Sequence, residues 1–353
     1  MNINKLIRPN IRSLSAYKAE EIPCKIKLDA NESPYGLSLR MFLRSAESQR
    51  LFKTLNRYPD PQAKKLKKAV SRYFKVKIEN TLQGNGSDEL IYYLITTFGG
   101  PVLYPVPTFS MYGIIAQAIG EKKIEIPLDK DFDLDMDKIF KAIRKEKPRL
   151  IFLSSPNNPM GNCFSSDKIL KIIELTSSKS IIVVDEAYQP FASEKGFISM
   201  LQDYKNLVIM RTLSKIGLAG LRVGFLIADE AIINEVNKVR LPFNLNSLSQ
   251  AIATAVLSDL KTLKSCIKSI ISERERLYKE MTKIKGITPY PSEANFVLFR
   301  TKEPDIIYNS LLKKGILIRN MKGVVEGCLR VTVGVPEENR MFLDILKDVI
   351  KDS

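Results

Sequence analysis

The sequence predicts an α/β protein, with a three-layer α/β/α large domain built on a mostly parallel sheet and a smaller α+β domain after it. Three observations lead there. At 353 residues the chain exceeds what one ordinary core holds, which favours two domains sharing an interface. Its middle alternates short apolar runs with longer amphipathic segments. Those runs are apolar at consecutive positions, as in strands covered by helices on both faces.

In chain order, residues 1–36 read as an arm that packs on the small domain or on a partner subunit, 37–240 as the large domain, and 241–353 as connector helices and the small domain. Strands of the large domain are expected at Pro101 to Tyr104, Leu150 to Leu153, Ile181 to Val184, Leu207 to Met210 and Val223 to Ala228. Asp88 to Phe98 and Asp167 to Leu175 read as helices, the first with Leu90, Ile91, Leu94, Ile95 and Phe98 on one face. From Asp229 to about Lys285 the texture is helical, broken at Leu241-Pro242-Phe243 where proline ends a helix. Beyond it, Asn295 to Arg300, Gly315 to Arg319 and Leu329 to Val333 read as strands, with a helix from Pro304 to Lys314 closed by Gly315.

Composition excludes several function classes. Hydrophobic residues at 44% and charged residues at 27% are ordinary for a folded soluble protein. The N-terminus lacks the apolar core of a signal peptide and no apolar run reaches membrane-spanning length, so a cytoplasmic location without membrane contact is expected. Cys24, Cys163, Cys266 and Cys328 are far apart and form no CxxC pair; they read as reduced and structural, with no metal site. The chain has no histidine, which removes Ser-His-Asp triads, Cys-His dyads and imidazole ligands, and leaves acid–base work to Lys, Tyr, Asp, Glu or Cys. The net charge of +16 suits nucleic acid, an anionic membrane or a phosphorylated small molecule. Its densest stretch, Lys64, Lys65, Lys67 and Lys68, is interleaved with Ala63, Leu66, Ala69 and Val70 at helical spacing, the solvated face of an amphipathic helix. No interleaved aromatics or paired-cysteine finger make it a reader of bases, so a nucleic-acid-binding protein is the rival from another class.

Four motifs carry the chemistry, three of them at expected strand ends, where open α/β sheets place ligands. After the strand Leu207 to Met210 come Arg211-Thr212-Leu213-Ser214-Lys215, a Gly-rich loop and Arg222. A lysine there is either one surface amine among many or an amine held for a Schiff base, with hydroxyls and an arginine suited to a phosphate. Ile181 to Val184 delivers Asp185-Glu186-Ala187-Tyr188; a carboxylate so placed suits a protonated ring nitrogen or a magnesium ion, and no GxxxxGK[ST] sequence supports the latter. Ser155-Pro156-Asn157-Asn158-Pro159-Met160-Gly161-Asn162 is a turn dense in Pro, Asn and Gly. Gly84-Asn85-Gly86-Ser87-Asp88-Glu89-Leu90 opens a helix, either as a phosphate site on free backbone N–H groups or as a plain N-cap at Ser87.

In their order and spacing these motifs resemble fold-type I pyridoxal-phosphate (PLP) aminotransferases, and the resemblance covers nearly the whole chain. Leu28-Asp29-Ala30-Asn31-Glu32-Ser33-Pro34-Tyr35-Gly36, Asn56-Arg57-Tyr58-Pro59-Asp60 and Cys328-Leu329-Arg330-Val331-Thr332-Val333-Gly334 narrow it to the histidinol-phosphate branch. The resemblance implies that Lys215 holds the cofactor as a Schiff base and moves the proton, that Asp185 pairs with the ring nitrogen, and that Asn158 and Tyr188 bond the ring hydroxyl. Phe109 takes the place of the aromatic that stacks on the ring. Ser87 and Asp88 through backbone groups, Thr212, Ser214 and Arg222 would hold the cofactor phosphate, joined by Tyr58 from a second subunit, so that a homodimer with a shared site is implied. Tyr17, Asn31, Arg319 and Arg330 would bind the substrates, histidinol phosphate and glutamate or 2-oxoglutarate, with Arg330 on the carboxylate. In one respect the chain departs from the commoner pattern: the loop from Lys215 to Arg222 is one residue shorter, which puts the arginine's reach in question. A threonine-phosphate decarboxylase or an aromatic aminotransferase of the same fold are the alternatives.

Overall fold

The computed structural model describes residues 1–16, 22–36, 51–258 and 260–351. Its strands are β1 (Ile26–Leu28), β2 (Thr81–Asn85), β3 (Val102–Val106), β4 (Lys123–Pro127), β5 (Leu150–Ser154), β6 (Ile181–Asp185), β7 (Leu207–Thr212), β8 (Val223–Ala228), β9 (Thr288–Pro289), β10 (Phe296–Arg300), β11 (Ile316–Asn320) and β12 (Cys328–Thr332). The described α-helices are α1 (Pro9–Arg12), α2 (Lys64–Phe74), α3 (Ser87–Phe98), α4 (Met111–Ile119), α5 (Met136–Glu146), α6 (Ser166–Leu175), α7 (Glu230–Val239), α8 (Ser247–Ser258), α9 (Leu260–Met281), α10 (Pro304–Lys313) and α11 (Pro336–Lys351).

Seven strands form the large sheet in the order β2-β8-β7-β6-β5-β3-β4. Its central strands explain the contiguous apolar runs. Along β5, Leu150 and Phe152 face the core beneath α3, α4 and α7, whereas Ile151 and Leu153 face the core beneath α5 and α6. The same alternation runs through Val183 against Ile182 and Val184 on β6, and through Val208 and Met210 against Leu207 and Ile209 on β7. Both faces are dry, so every position is apolar. Two strands escaped the sequence reading. β4 is an edge strand and exposes alternate residues, so its signal is the weaker period-two pattern. β2 contains Gln83, Gly84 and Asn85, and its place in the sheet comes from pairing with β8 rather than from its own composition.

The direction of β8 sets up the site. It runs antiparallel to both β7 and β2, while β3 to β7 run parallel to one another. In register, Ser154 lies beside Asp185 and Asp185 beside Met210, while Thr212 and Gly84 both lie beside Gly224. The C-terminal ends of β5, β6 and β7, the start of β8 and the end of β2 therefore meet at one edge. Gly224 is required there: a Cβ would come within 3.0 Å of the Gly86 backbone.

The second sheet has the order β1-β11-β12-β10-β9, with β1 parallel to β11 and the other pairs antiparallel. Residues 1–36 were expected to act as a single arm on the small domain or on a partner; the structure divides them instead. Residues 26–28 are a strand of the small sheet, but Arg8 donates to the Ile119 carbonyl at 3.0 Å and Asn10 donates to those of Gln117 and Ala118 at 2.8 and 2.9 Å. These are carbonyls at the C-terminal end of α4, in the large domain, where the helix runs short of its own N–H donors: Gln117 also accepts the Gly120 N–H at 3.0 Å, and Arg8 and Asn10 supply donors from outside.

Helix α2 follows its amphipathic reading, with Leu66, Ala69 and Val70 buried and Lys64, Lys65 and Lys68 exposed. Its buried face shares a core with α8, α9 and the small sheet, so no solvated boundary separates the two domains there. Arg274 of α9, 4% exposed, fastens the same junction by donating to the carbonyls of Phe191 at 3.0 Å and Ala294 at 3.2 Å. All four cysteines are free. Among the described residues no helix is long and apolar enough to cross a membrane, and no cluster of acidic or sulfur side chains is placed to hold a metal.

Candidate active site

At the shared sheet edge, β6 ends on Asp185. Its side chain is 3% exposed, with Oδ1 accepting the Ala187 N–H at 3.0 Å and Oδ2 accepting the Tyr112 hydroxyl at 2.6 Å. Burial pushes its carboxyl up to about 6; the Tyr112 and Ala187 bonds pull the other way, and Asp88 and Glu186 add like-charge repulsion. A buried carboxylate with that bias is relieved by a cation placed against it. The next residue, Glu186, is paired with Arg211 and accepts the Phe197 N–H, which braces the ends of β6 and β7 against each other.

An anion cradle lies beside it. Helix α3 begins at Ser87 after Gly86, and no side chain caps it. Ser87 is thus the first helical residue, not the N-cap that one sequence reading gave it, and the first-turn N–H groups and helix dipole are available to an anion. Gly86 has φ 86°, and a Cβ there would come within 2.4 Å of an Arg222 nitrogen, so glycine is needed both for the turn and for the approach of the guanidinium. Thr212 and Ser214 join their hydroxyls at 3.0 Å; Arg222 reaches Ser214 Oγ at 3.5 Å and an Asp88 carboxylate oxygen at 3.3 Å. The shorter loop therefore still delivers Arg222, through a left-handed backbone of φ 53° at that residue.

Lys215 follows Ser214 on the turn after β7, with Nζ 5.8 Å from the Tyr188 ring centre. Tyr188 accepts the Asn31 amide at 2.9 Å, and Asn31 is held in turn by its own N–H to Thr332 Oγ1 at 3.0 Å and by the Asn295 amide to its carbonyl at 2.9 Å. Asn158 accepts from Arg330, whose guanidinium also donates to the Asp29 carbonyl at 2.8 Å and lies over Phe296 at 5.2 Å. Strand β12 thus brings Arg330 of the small domain onto Asn158 of the large one, while Thr332 holds Asn31 where it meets Tyr188.

Residues 23–346 match the model of the family described as aminotransferase class I and II. The chain belongs to the class I and II aminotransferases. It is 45% identical to histidinol-phosphate aminotransferase of Aquifex aeolicus over 354 aligned positions, covering 98% of each chain. Among solved structures it is similar to the histidinol-phosphate aminotransferase from Clostridium acetobutylicum, with a TM-score of 0.86 and 27% identity over 93% of this chain and 100% of that one. It is also similar to the Sinorhizobium meliloti enzyme of that name in complex with pyridoxal 5'-phosphate, with a TM-score of 0.85 and 25% identity over 98% of each.

The residues of this aminotransferase fit its cofactor, PLP. The uncapped helix end beside a guanidinium and two hydroxyls suits a phosphate, the buried Asp185 suits a protonated ring nitrogen, and Lys215 supplies an amine on the turn that carries Ser214. Phe109 packs edge-on against Tyr112, with ring centres 5.6 Å apart. Two further named residues are exposed to solvent. Tyr58 is 81% exposed and stacks on Phe243 at 4.5 Å. Arg319 is exposed on β11, directly across from Arg330 on β12. Tyr17 lies outside the described residues. Sequence reasoning missed Tyr112, and also the pair Thr108 and Asn157, whose side chains meet at 2.7 Å to join the segments after β3 and β5. The available signal was Pro107-Thr108-Phe109-Ser110-Met111-Tyr112, in which the phenol follows the stacking ring by one helical turn.

Proposed function

We propose that this aminotransferase exchanges the amino group between L-histidinol phosphate and 2-oxoglutarate, in cytoplasmic histidine biosynthesis. The observation that carries the substrate reading is the cross-strand pair Arg319 and Arg330. One guanidinium is nearly buried against Asn158 and the other is exposed, so the site offers one cation to a substrate carboxylate and a second to a substrate phosphate. The name borne by the Aquifex relative, at 45% identity, supports the same substrate.

When bound, PLP supplies a carbonyl that condenses with amines and a ring that withdraws electrons from the carbon next to the nitrogen. The chain's residues do the rest. Backbone N–H groups of Ser87 and Asp88, the hydroxyls of Thr212 and Ser214, and Arg222 bind the cofactor phosphate. Asp185 keeps the ring nitrogen protonated, Phe109 covers the ring, and Asn158 and Tyr188 serve its polar edge. Lys215 takes the proton from the amine-bearing carbon of the substrate and returns it to the cofactor side. With no histidine in the chain, Lys215 has no imidazole competitor for that role.

The working unit in this reading is a homodimer. Tyr58 lies on an exposed aromatic face beside a groove of about 360 Å³ lined by Leu51, Thr54, Arg57 and Gln250. A second copy covers that face, and the partner's Tyr58 is offered to the phosphate cradle. The test of substrate is direct. Incubation with histidinol phosphate, threonine phosphate or phenylalanine, each with 2-oxoglutarate, is expected to yield glutamate with histidinol phosphate. Carbon dioxide from threonine phosphate, or faster turnover of phenylalanine, would replace this reading with a decarboxylase or an aromatic aminotransferase.

A further inference from the structure

The hydroxyl of Tyr112 has a defined and unassigned partner at the centre of the site. The residue is 0% exposed and donates to Asp185 Oδ2 at 2.6 Å. Its ring has no room to turn away: it stacks on Phe152 with centres 4.7 Å apart and planes at 15°, and meets Phe109 edge-on at 84°. Burial and the neighbouring Asp185 hold the phenol proton in place well above the ordinary tyrosine range. The phenol therefore donates and the carboxylate accepts. The Ala187 N–H occupies the other oxygen at 3.0 Å, so two donors from different elements fix the rotation of the carboxylate and leave lone pairs for a further donor.

The other ionisable groups facing Asp185 are unhelpful to its charge. Asp88 and Glu186 act on it as like charges. Tyr112 and the Ala187 N–H are what counter burial, and of the two only Tyr112 is a side chain that substitution removes cleanly. It also sits one helical turn after Phe109, so a single segment carries both the ring that covers the cofactor and the donor that sets the carboxylate at its edge.

We propose that Tyr112 is a positioning residue for the reaction, acting through Asp185 by keeping its carboxylate charged and turned toward the cofactor's ring nitrogen. This rests on the reading of Asp185 given above, and the experiment separates the two. Apoprotein prepared from the purified holoenzyme is titrated with PLP and with its 1-deaza analogue, in which carbon replaces the ring nitrogen, for the native chain, Asp185→Asn and Tyr112→Phe. The native chain is expected to prefer PLP by about tenfold or more, and Asp185→Asn to lose the preference. Tyr112→Phe, which keeps the packed ring, is expected to narrow the preference about fivefold while binding the analogue as the native chain does. In turnover it lowers kcat about tenfold and leaves KM within about twofold.

A Tyr112→Phe chain that keeps the full preference, or that loses affinity for both compounds equally, overturns the proposal and leaves the Asp185 reading intact. A native chain with no preference overturns that reading itself. Should the phenylalanine chain be recovered poorly, 3,5-difluorotyrosine placed at position 112 preserves the ring and strengthens the donor. It is expected to widen the preference, and an unchanged or narrower one overturns the proposal.

Discussion

The two ends of the site are built differently. At the floor, Asp185 and Tyr112 are 3% and 0% exposed and meet at 2.6 Å; at the rim, the side chains of Asp88 and Arg222 are 43% and 46% exposed and meet at 3.3 Å. A buried bond cannot be traded for water, so the floor is oriented by folding itself. An exposed ion pair contributes about 0–1 kcal/mol, so Arg222 is free to exchange Asp88 for an arriving phosphate at little cost. The floor fixes chemistry and the rim captures a ligand.

Lys215, next in the chain after Ser214, gives the largest effect. Lys215→Ala is expected to lower glutamate formation by at least about a thousandfold, since in the proposed mechanism the amine both holds the cofactor and moves the proton. Substantial residual turnover would break the assignment of the proton transfer.

The floor is tested next, through pH. Because the Asp185 carboxyl is raised to about 6 from its ordinary 3.8, the folded cofactor-free protein holds that proton more tightly than the unfolded chain. Its contribution to stability is fully present below about pH 4 and is lost as pH rises through about 6. Asp185→Asn in the apoprotein should therefore be more stable than the native apoprotein at pH 8, by something on the order of 2–3 kcal/mol, and should show no advantage at pH 4. Thermal melts at the two pH values check it, and equal gains at both would mean that the carboxylate is not strained by burial.

The rim comes third. Arg222→Ala is expected to weaken PLP binding about ten- to a hundredfold by removing a charge-assisted phosphate contact, read from the dissociation constant of the reconstituted apoprotein. Unchanged affinity would place the arginine outside the cradle. Asp88→Asn carries the smallest effect: the affinity for PLP should change by less than about threefold, and toward tighter binding, because a half-exposed pair is released and a like charge is withdrawn from the phosphate. A loss of tenfold or more would show that Asp88 holds Arg222 in place and that the rim is as preorganised as the floor.

Much of this was legible from residues alone. The central strands were visible because burial on both faces makes each position apolar, as in Leu150 to Leu153 and Leu207 to Met210. Lys215, Asp185 and Arg222 stood out as candidates because each lies close to the end or the start of such a run. β2 and β4 were hidden, the first by its polar composition and the second by its exposed alternate residues. The far N-terminus was misplaced because Arg8 and Asn10 answer carbonyls more than a hundred positions away, and no local pattern announces an acceptor at that distance.

By itself, then, the order of residues determined the layers, the strand ends and the chemical groups delivered to them, since periodicity and turn chemistry are local properties of a chain. Tertiary structure alone decided that β8 runs backwards to gather five segments at one edge, and that strand β12 carries Arg330 onto Asn158. It also decided that a tyrosine 73 positions from Asp185 becomes its donor. Those outcomes depend on sheet register and on the packing of faces, which join residues by their positions in space and leave no mark in the spacing of either partner along the chain.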